Sequence, residues 1–158
     1  MSLASRKPTG LLRWAFRAPI GLFRLRLGWL LIGHFLMLTT TGRKSGQPRY
    51  AVIEVVQREK ATGVYVIAAG WGAKADWFQN IQKTPRVRVD VGFRRFWAAA
   101  EILSPEAAAE KFADYARRFP VPFRLIVKAL TGEAMTGTAE EFARLAKLAP
   151  LVALKPIK

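Results

Sequence analysis

Phe35-Leu-Met-Leu-Thr-Thr-Thr-Gly-Arg-Lys-Ser-Gly-Gln-Pro-Arg-Tyr-Ala-Val-Ile-Glu-Val-Val56 is the stretch whose reading decides the fold. Its first third, Phe35 to Thr41, is apolar and β-branched, which suits a pleated, half-buried strand. The middle, Gly42 to Gln47, is polar and carries Gly42 and Gly46, so the chain can turn tightly there. Pro48 opens a second strand, Arg49 to Gln57, that includes the apolar run Ala51 to Val56. Two strands joined by so short a loop pair antiparallel, because a parallel crossover needs a dozen residues or more.

Further strands follow outward from this hairpin. Arg58 to Gly63 reads as a turn and Val64 to Ala69 as a third strand. Arg86-Val-Arg-Val-Asp-Val91 alternates strictly, and after a turn at Gly92 the chain returns along Arg94 to Leu103. One short helix is inserted at Asp76 to Lys83, with Asp76 as its expected N-cap and Pro85 just beyond its end. Ser104-Pro105-Glu106 starts a helix with a capping hydroxyl, Pro at the first position and an acid near the positive dipole end. That helix should stop near Arg118, before Pro120. A second is expected over Phe123 to Leu130, and a third after Thr138, which forms a capping box with Glu141. A short apolar strand, Leu151 to Leu154, closes the chain. Strands first, helices next and a closing strand predict an α+β domain built on a small antiparallel barrel with flanking helices.

The chain of 158 residues holds 26 Lys and Arg against 11 Asp and Glu, a formal net charge of +15. Such a surface must meet something anionic: nucleic acid, a membrane face, or a phosphorylated or carboxylated ligand. There is no Cys and one His, His34. Thiolate chemistry, disulfides, iron–sulfur clusters and Cys- or multi-His metal sites are therefore excluded, and no metal is expected. His34 ends an apolar run and reads as a core or interface residue. The absence of Cys fits a cytoplasmic protein.

Residues 1–33 form a distinct basic amphipathic segment ahead of the barrel domain, 34–158. Arg6, Arg13, Arg17 and Arg24 share one helical face, Trp14, Phe16 and Phe23 lie among the leucines of the rest, and no acid is present. Pro19 and Gly21 should divide it. Such a segment can lie on an anionic membrane interface, here the inner face of the cell membrane, or pack on the domain with its arginines in water. The apolar run from Leu27 to Leu38 falls short of the ~20 residues a membrane span needs.

Two loops could carry chemistry. In Gly42-Arg-Lys-Ser-Gly-Gln-Pro-Arg49, tight turning lets backbone N–H groups point at an anion. Arg43, Lys44 and Arg49 supply charge, and Ser45 a hydroxyl. The spacing is not that of a P-loop, and a solvated basic hairpin tip would look the same. In Ala69-Gly-Trp-Gly-Ala-Lys-Ala-Asp-Trp-Phe-Gln-Asn80, Gly70 and Gly72 permit close approach of a flat ligand. Trp71 and Trp77 could wall it in, or Trp77 could belong to the core. The following helix offers unpaired N–H groups.

Thr39-Thr-Thr-Gly-Arg-Lys-Ser-Gly-Gln-Pro-Arg49, the Ala-Ala-Gly-Trp-Gly turn, Asp76-Trp-Phe-Gln-Asn80 and Thr84-Pro-Arg-Val-Arg-Val89 occur in this order. Together they resemble the deazaflavin-dependent nitroreductase family, also described as F-420-dependent quinone reductases. The resemblance covers roughly Leu31 to Leu103. It implies a split β-barrel related to flavin-mononucleotide-binding proteins and a hydride-transferring oxidoreductase using coenzyme F-420. Expected acceptors are quinones, enones, nitro compounds or other activated hydrophobic molecules. It also implies that Arg43, Lys44, Ser45, Gly46, Gln47 and Arg49 hold the anionic coenzyme tail. Ala69, Gly70, Trp71, Gly72, Lys74, Asp76, Trp77 and Asn80 would border the ring. In that family a serine and a lysine stand where this chain has Gly70 and Trp71, and a tyrosine-rich stretch stands where it reads Arg118-Phe-Pro-Val-Pro-Phe-Arg124. An obvious proton donor is therefore missing, no catalytic residue is assigned, and water is the expected proton source.

The competing readings are a flavin-mononucleotide (FMN) oxidoreductase on the same fold and a non-catalytic lipid-binding barrel. Nucleic-acid binding ranks last and is not expected, since the basic residues are dispersed and no reading helix is recognisable. A homodimer is compatible with the chain.

Overall fold

The computed structural model describes residues 18–25, 27 and 34–158. Six strands form a closed antiparallel barrel in the order β1-β2-β3-β6-β5-β4. They are β1 (Phe35–Thr41), β2 (Pro48–Arg58), β3 (Tyr65–Ala68), β4 (Arg86–Val91), β5 (Arg94–Ile102) and β6 (Leu151–Pro156). Residues 18–24 are helical, here α1. The other α-helices are α2 (Asp76–Lys83), α3 (Pro105–Arg118), α4 (Pro120–Thr131) and α5 (Ala139–Leu148).

The pairing registers show how sequence pattern became position. In β1 and β2, Leu38 faces Ala51 and Leu36 faces Ile53, so alternate residues point into the barrel. Leu36, Leu38, Ile53, Ile67, Val87, Val89, Val152 and Leu154 fill that interior, and Phe78 and Ile81 of α2 join the same cluster. A second cluster lies outside the barrel. There Val56, Val66 and Leu151 meet Phe112 and Tyr115 of α3, Phe123 and Val127 of α4, and Leu145 of α5. Strands β3 and β6, which pair with each other, are thus buried on both faces, and this is why Tyr65-Val-Ile67 and Leu151-Val-Ala-Leu154 are continuous apolar runs. The alternation of β4 puts Val87, Val89 and Val91 inside the barrel, and Asp90 is buried on the other face.

Several expectations are corrected. Helix α4 starts at Pro120 and not at Phe123, because prolines in a first turn remove only N–H groups that have no intrahelical partner. Asp76 is not the N-cap of α2. Ala75 holds that position without a side-chain cap, and Asp76 is the first helical residue, paired with Arg43. Strand β6 extends two residues past Leu154, with Lys155 and Pro156 pairing Ala99 and Ala98. Pro19 and Gly21 lie within helical residues, and His34 is exposed beside β1, its carbonyl accepting from the Val55 amide. Ser104 and the Thr138–Glu141 box cap α3 and α5 as expected.

The expected N-terminal segment lies largely outside the described residues. Its described part packs on the barrel: Phe23 is buried and the Arg24 guanidinium lies 4.8 Å over the Tyr50 ring. No helix among the described residues is long and apolar enough to cross a membrane.

Candidate functional site

The β1–β2 loop is a rigid basic knuckle. Gly42 N donates to Gln47 O and Gly46 N to Gly42 O, both at 2.8 Å, and Gly46 adopts φ +68°. A Cβ at Gly42 would lie 2.8 Å from Ser45 Oγ and 3.1 Å from Gln47 O, so a side chain there would force the hydroxyl out of its place in the turn. Ser45 Oγ in turn accepts from Gln47 N and Arg49 Nη2, both at 3.3 Å.

Helix α2 holds this knuckle in place. Asn80, only 2% exposed, accepts at Oδ1 from both Arg43 N and Arg43 Nη1 at 3.1 Å and donates through Nδ2 to Thr40 Oγ1 at 3.0 Å. Arg43 Nη2 pairs with Asp76 at 3.3 Å, and Lys83 Nζ donates to Arg43 O at 2.9 Å. Of the predicted site residues, Arg43, Asp76 and Asn80 thus bind one another and join the two loops at one end of the barrel. Lys83 and Thr40, not singled out in the sequence, complete the clamp. Only a known helix-to-hairpin contact could have revealed them.

Lys44 and Lys74 are exposed and meet no carboxylate among the described residues, and the Arg49 guanidinium bonds there only to Ser45. The backbone amides of Lys44 and Ser45 have no partner there either, whereas those of Gly42, Gly46 and Gln47 are used within the knuckle and that of Arg43 by Asn80. Two unneutralised ammonium groups, one guanidinium fork and two open amides are a donor set suited to phosphate and carboxylate oxygens. No cluster of His, Asp or Glu suited to a metal ion occurs among the described residues.

The β3–α2 loop supplies the opposite chemistry. Ala69 is fully buried, and a 3₁₀ turn over Gly72–Lys74 leads into α2. Trp71 and Trp77 are half-buried and lean on the barrel core. The close approach that Gly72 permits is to the protein itself: with φ +64°, a Cβ there would sit 2.8 Å from Leu148 O of α5. Gly70 faces Leu130 of α4 and borders a cavity of ≈ 250 Å³. Leu130, Thr131, Leu145, Leu148 and Ala149 line it, and an ion pair of 2.8 Å joins its remaining wall residues, Glu133 and Arg144. None of these lining residues from α4, α5 and their connection was marked by the sequence, since packing of three separate segments creates the space.

Tyr115 of α3 is buried in the second cluster and faces Glu54 of β2. Burial and then its 2.8 Å hydrogen bond to Glu54 drive its pKa well above the usual value, so it stays neutral and acts as a strut between α3 and β2.

The sequence model of the F420H(2)-dependent quinone reductase family matches residues 23–123, well over half of the chain. The chain belongs to this family. An F420H(2)-dependent quinone reductase of Mycobacterium tuberculosis is 29% identical over 86 residues, which are 54% of this chain and 54% of that protein. The chain therefore spans about half the length of the curated relatives it matches. Among solved structures, an F420-H2 dependent reductase (FDR-A) superposes with a TM-score of 0.52 at 21% identity, covering 77% of this chain and 94% of that one. A pyridoxamine 5'-phosphate oxidase-related, FMN-binding protein of Nostoc punctiforme gives 0.53 at 13% identity, covering 94% and 82%. These likenesses fix the family fold as the split barrel of the FMN-binding type.

Proposed function

We propose that the chain is an oxidoreductase that uses reduced coenzyme F-420 to reduce a quinone or a similar hydrophobic, activated acceptor. The observation that supports this best is the basic knuckle, clamped to α2 through Asn80 with Lys44, Arg49 and Lys74 left for an anion. The donor set fits an elongated coenzyme bearing phosphate and carboxylates. Lys44, Arg49, Lys74 and the open amides of Lys44 and Ser45 would hold the tail, with Gly46 and Gln47 shaping the turn. Trp71 and Trp77, beside Ala69, Gly70 and Gly72, would border the ring. Arg43, Asp76 and Asn80 serve as positioning residues.

When bound there, the coenzyme supplies a hydride. The chain contributes pre-organisation, because its anion-binding groups stand on a loop already fixed by hydrogen bonds. The acceptor enters the largely apolar cavity beside Gly70, and solvent provides its proton, since Glu133 is ion-paired and Tyr115 is tied to Glu54. A charge of +15 and a hydrophobic acceptor favour a cytoplasmic protein that works at the inner face of the cell membrane.

Stopped assays of reduced F-420 oxidation, with menadione as acceptor and FMN hydride chemistry run in parallel, test the reading. Turnover with reduced F-420 and none with reduced FMN is expected. Turnover with FMN alone would replace F-420 in the account, and no turnover with either would leave a barrel without this activity.

A further inference from the structure

Helix α4 buries Phe123 and Val127 and turns a second apolar surface outward. Val121 is 64% exposed and Leu125 66%. At about 100° per residue, Val121 and Leu125 stand within about 40° of each other, and Arg124 and Lys128 flank them on one side. The buried residues lie opposite. Single exposed apolar side chains are ordinary, but two adjacent ones on one helix face, bordered by cations, offer a surface for a partner.

The charge says which partner. Helix α4 contains no acidic residue, and Arg124 and Lys128 make no ion pair among the described residues. The acids on either side of the helix in sequence are occupied, Asp114 by Arg117 and Arg118, both at 2.6 Å, and Glu133 by Arg144 at 2.8 Å. A helix that presents Val121 and Leu125 beside Arg124 and Lys128 matches the interface of an anionic bilayer, where apolar groups reach the acyl boundary and cations meet phosphates. A protein partner with an apolar groove would need acids arranged to match Arg124 and Lys128. A lipid surface meets them in any arrangement.

We propose that the outer face of α4 docks on an anionic phospholipid surface. Leu130, one wall of the cavity beside Gly70, lies five residues beyond Leu125, about 7.5 Å along the helix axis. Docking through this face therefore sets the cavity close to the bilayer, from which a hydrophobic acceptor would come. The proposal deepens the peripheral part of the reading above, and its test does not depend on the coenzyme.

The test is co-sedimentation of the full chain with phosphatidylglycerol–phosphatidylcholine vesicles and with phosphatidylcholine alone, with molar mass followed by light scattering. Wild type should bind the anionic vesicles and bind the neutral ones weakly. The double variant Val121→Asp/Leu125→Asp alters exposed positions and should keep the fold while lowering partitioning by about tenfold or more. Arg124→Glu/Lys128→Glu should act in the same direction, and more strongly at low salt. Phe93→Asp, at the exposed tip between β4 and β5, should bind like wild type. Undiminished binding by both double variants would overturn the proposal, as would no binding by wild type. A wild-type dimer that Val121→Asp/Leu125→Asp converts to monomer, with vesicle binding unchanged, would make this face a contact between copies and also overturn it.

Discussion

Asn80→Ala removes the pin that joins the basic knuckle to α2. The side chain makes three hydrogen bonds at 3.0–3.1 Å, and two of the groups it serves, the Arg43 amide and the Thr40 hydroxyl, sit in sheltered positions. Leaving a buried polar group unmet costs roughly 1–3 kcal/mol, while the partly exposed Arg43 guanidinium recovers most of its loss from water. Alanine returns about 0.5 kcal/mol in helix propensity. The net loss is then about 2–3 kcal/mol, or a fall in Tm of about 5–10 °C for a domain of this size. Thermal denaturation by circular dichroism measures the first effect. Coenzyme titration measures the second: a loosened knuckle must be ordered on binding, so affinity should drop about tenfold. Arg43→Ala is the comparison, because its exposed ion pair with Asp76 is worth at most about 1 kcal/mol. A Tm within about 2 °C of wild type and unchanged affinity for Asn80→Ala would refute the clamp.

Three further outcomes follow from the same geometry. Lys44→Ala and Arg49→Ala should each weaken F-420 binding by about tenfold with unchanged Tm, as each removes a charge-assisted contact of about 1.5 kcal/mol from an exposed position; isothermal calorimetry reads both quantities. Gly72→Ala should destabilise by about 1–3 kcal/mol in urea, since φ +64° and the 2.8 Å approach to Leu148 O both penalise a Cβ. Amides of Thr138, Thr136 and Gly137 hold the Glu141 carboxylate at a pKa of about 2, below its ordinary 4.5. Its contribution is therefore complete above pH 4.5 and is lost as pH falls toward about 2, and Glu141→Gln should flatten that part of the stability–pH curve measured by urea unfolding.

The strands were legible because burial leaves a period in the sequence. Arg86 to Val91 alternates since one face of β4 meets the core, and β3 and β6 read as solid apolar runs since helices cover their outer faces. Caps were legible where the side chain itself makes the bond, as at Ser104 and Thr138. Helix α4 was misjudged at its start because Pro120 and Pro122 look like breaks until they are seen to occupy its first turn. Within the site, the basic loop stood out by composition. Which of its cations point outward did not, because Arg43 is withdrawn by Asp76 and Asn80, residues thirty-three and thirty-seven positions away. Nor could Gly72 be assigned, since a glycine that admits a ligand and one that admits a helix end look alike in sequence.

The most direct test of the central claim is a fluorescence titration of the purified protein with oxidised F-420, with FMN alongside. The account predicts saturable F-420 binding at micromolar levels or tighter, much weaker FMN binding, and loss of the F-420 signal in Lys44→Ala/Arg49→Ala. Tight FMN binding, or F-420 binding that the double variant leaves intact, would contradict it.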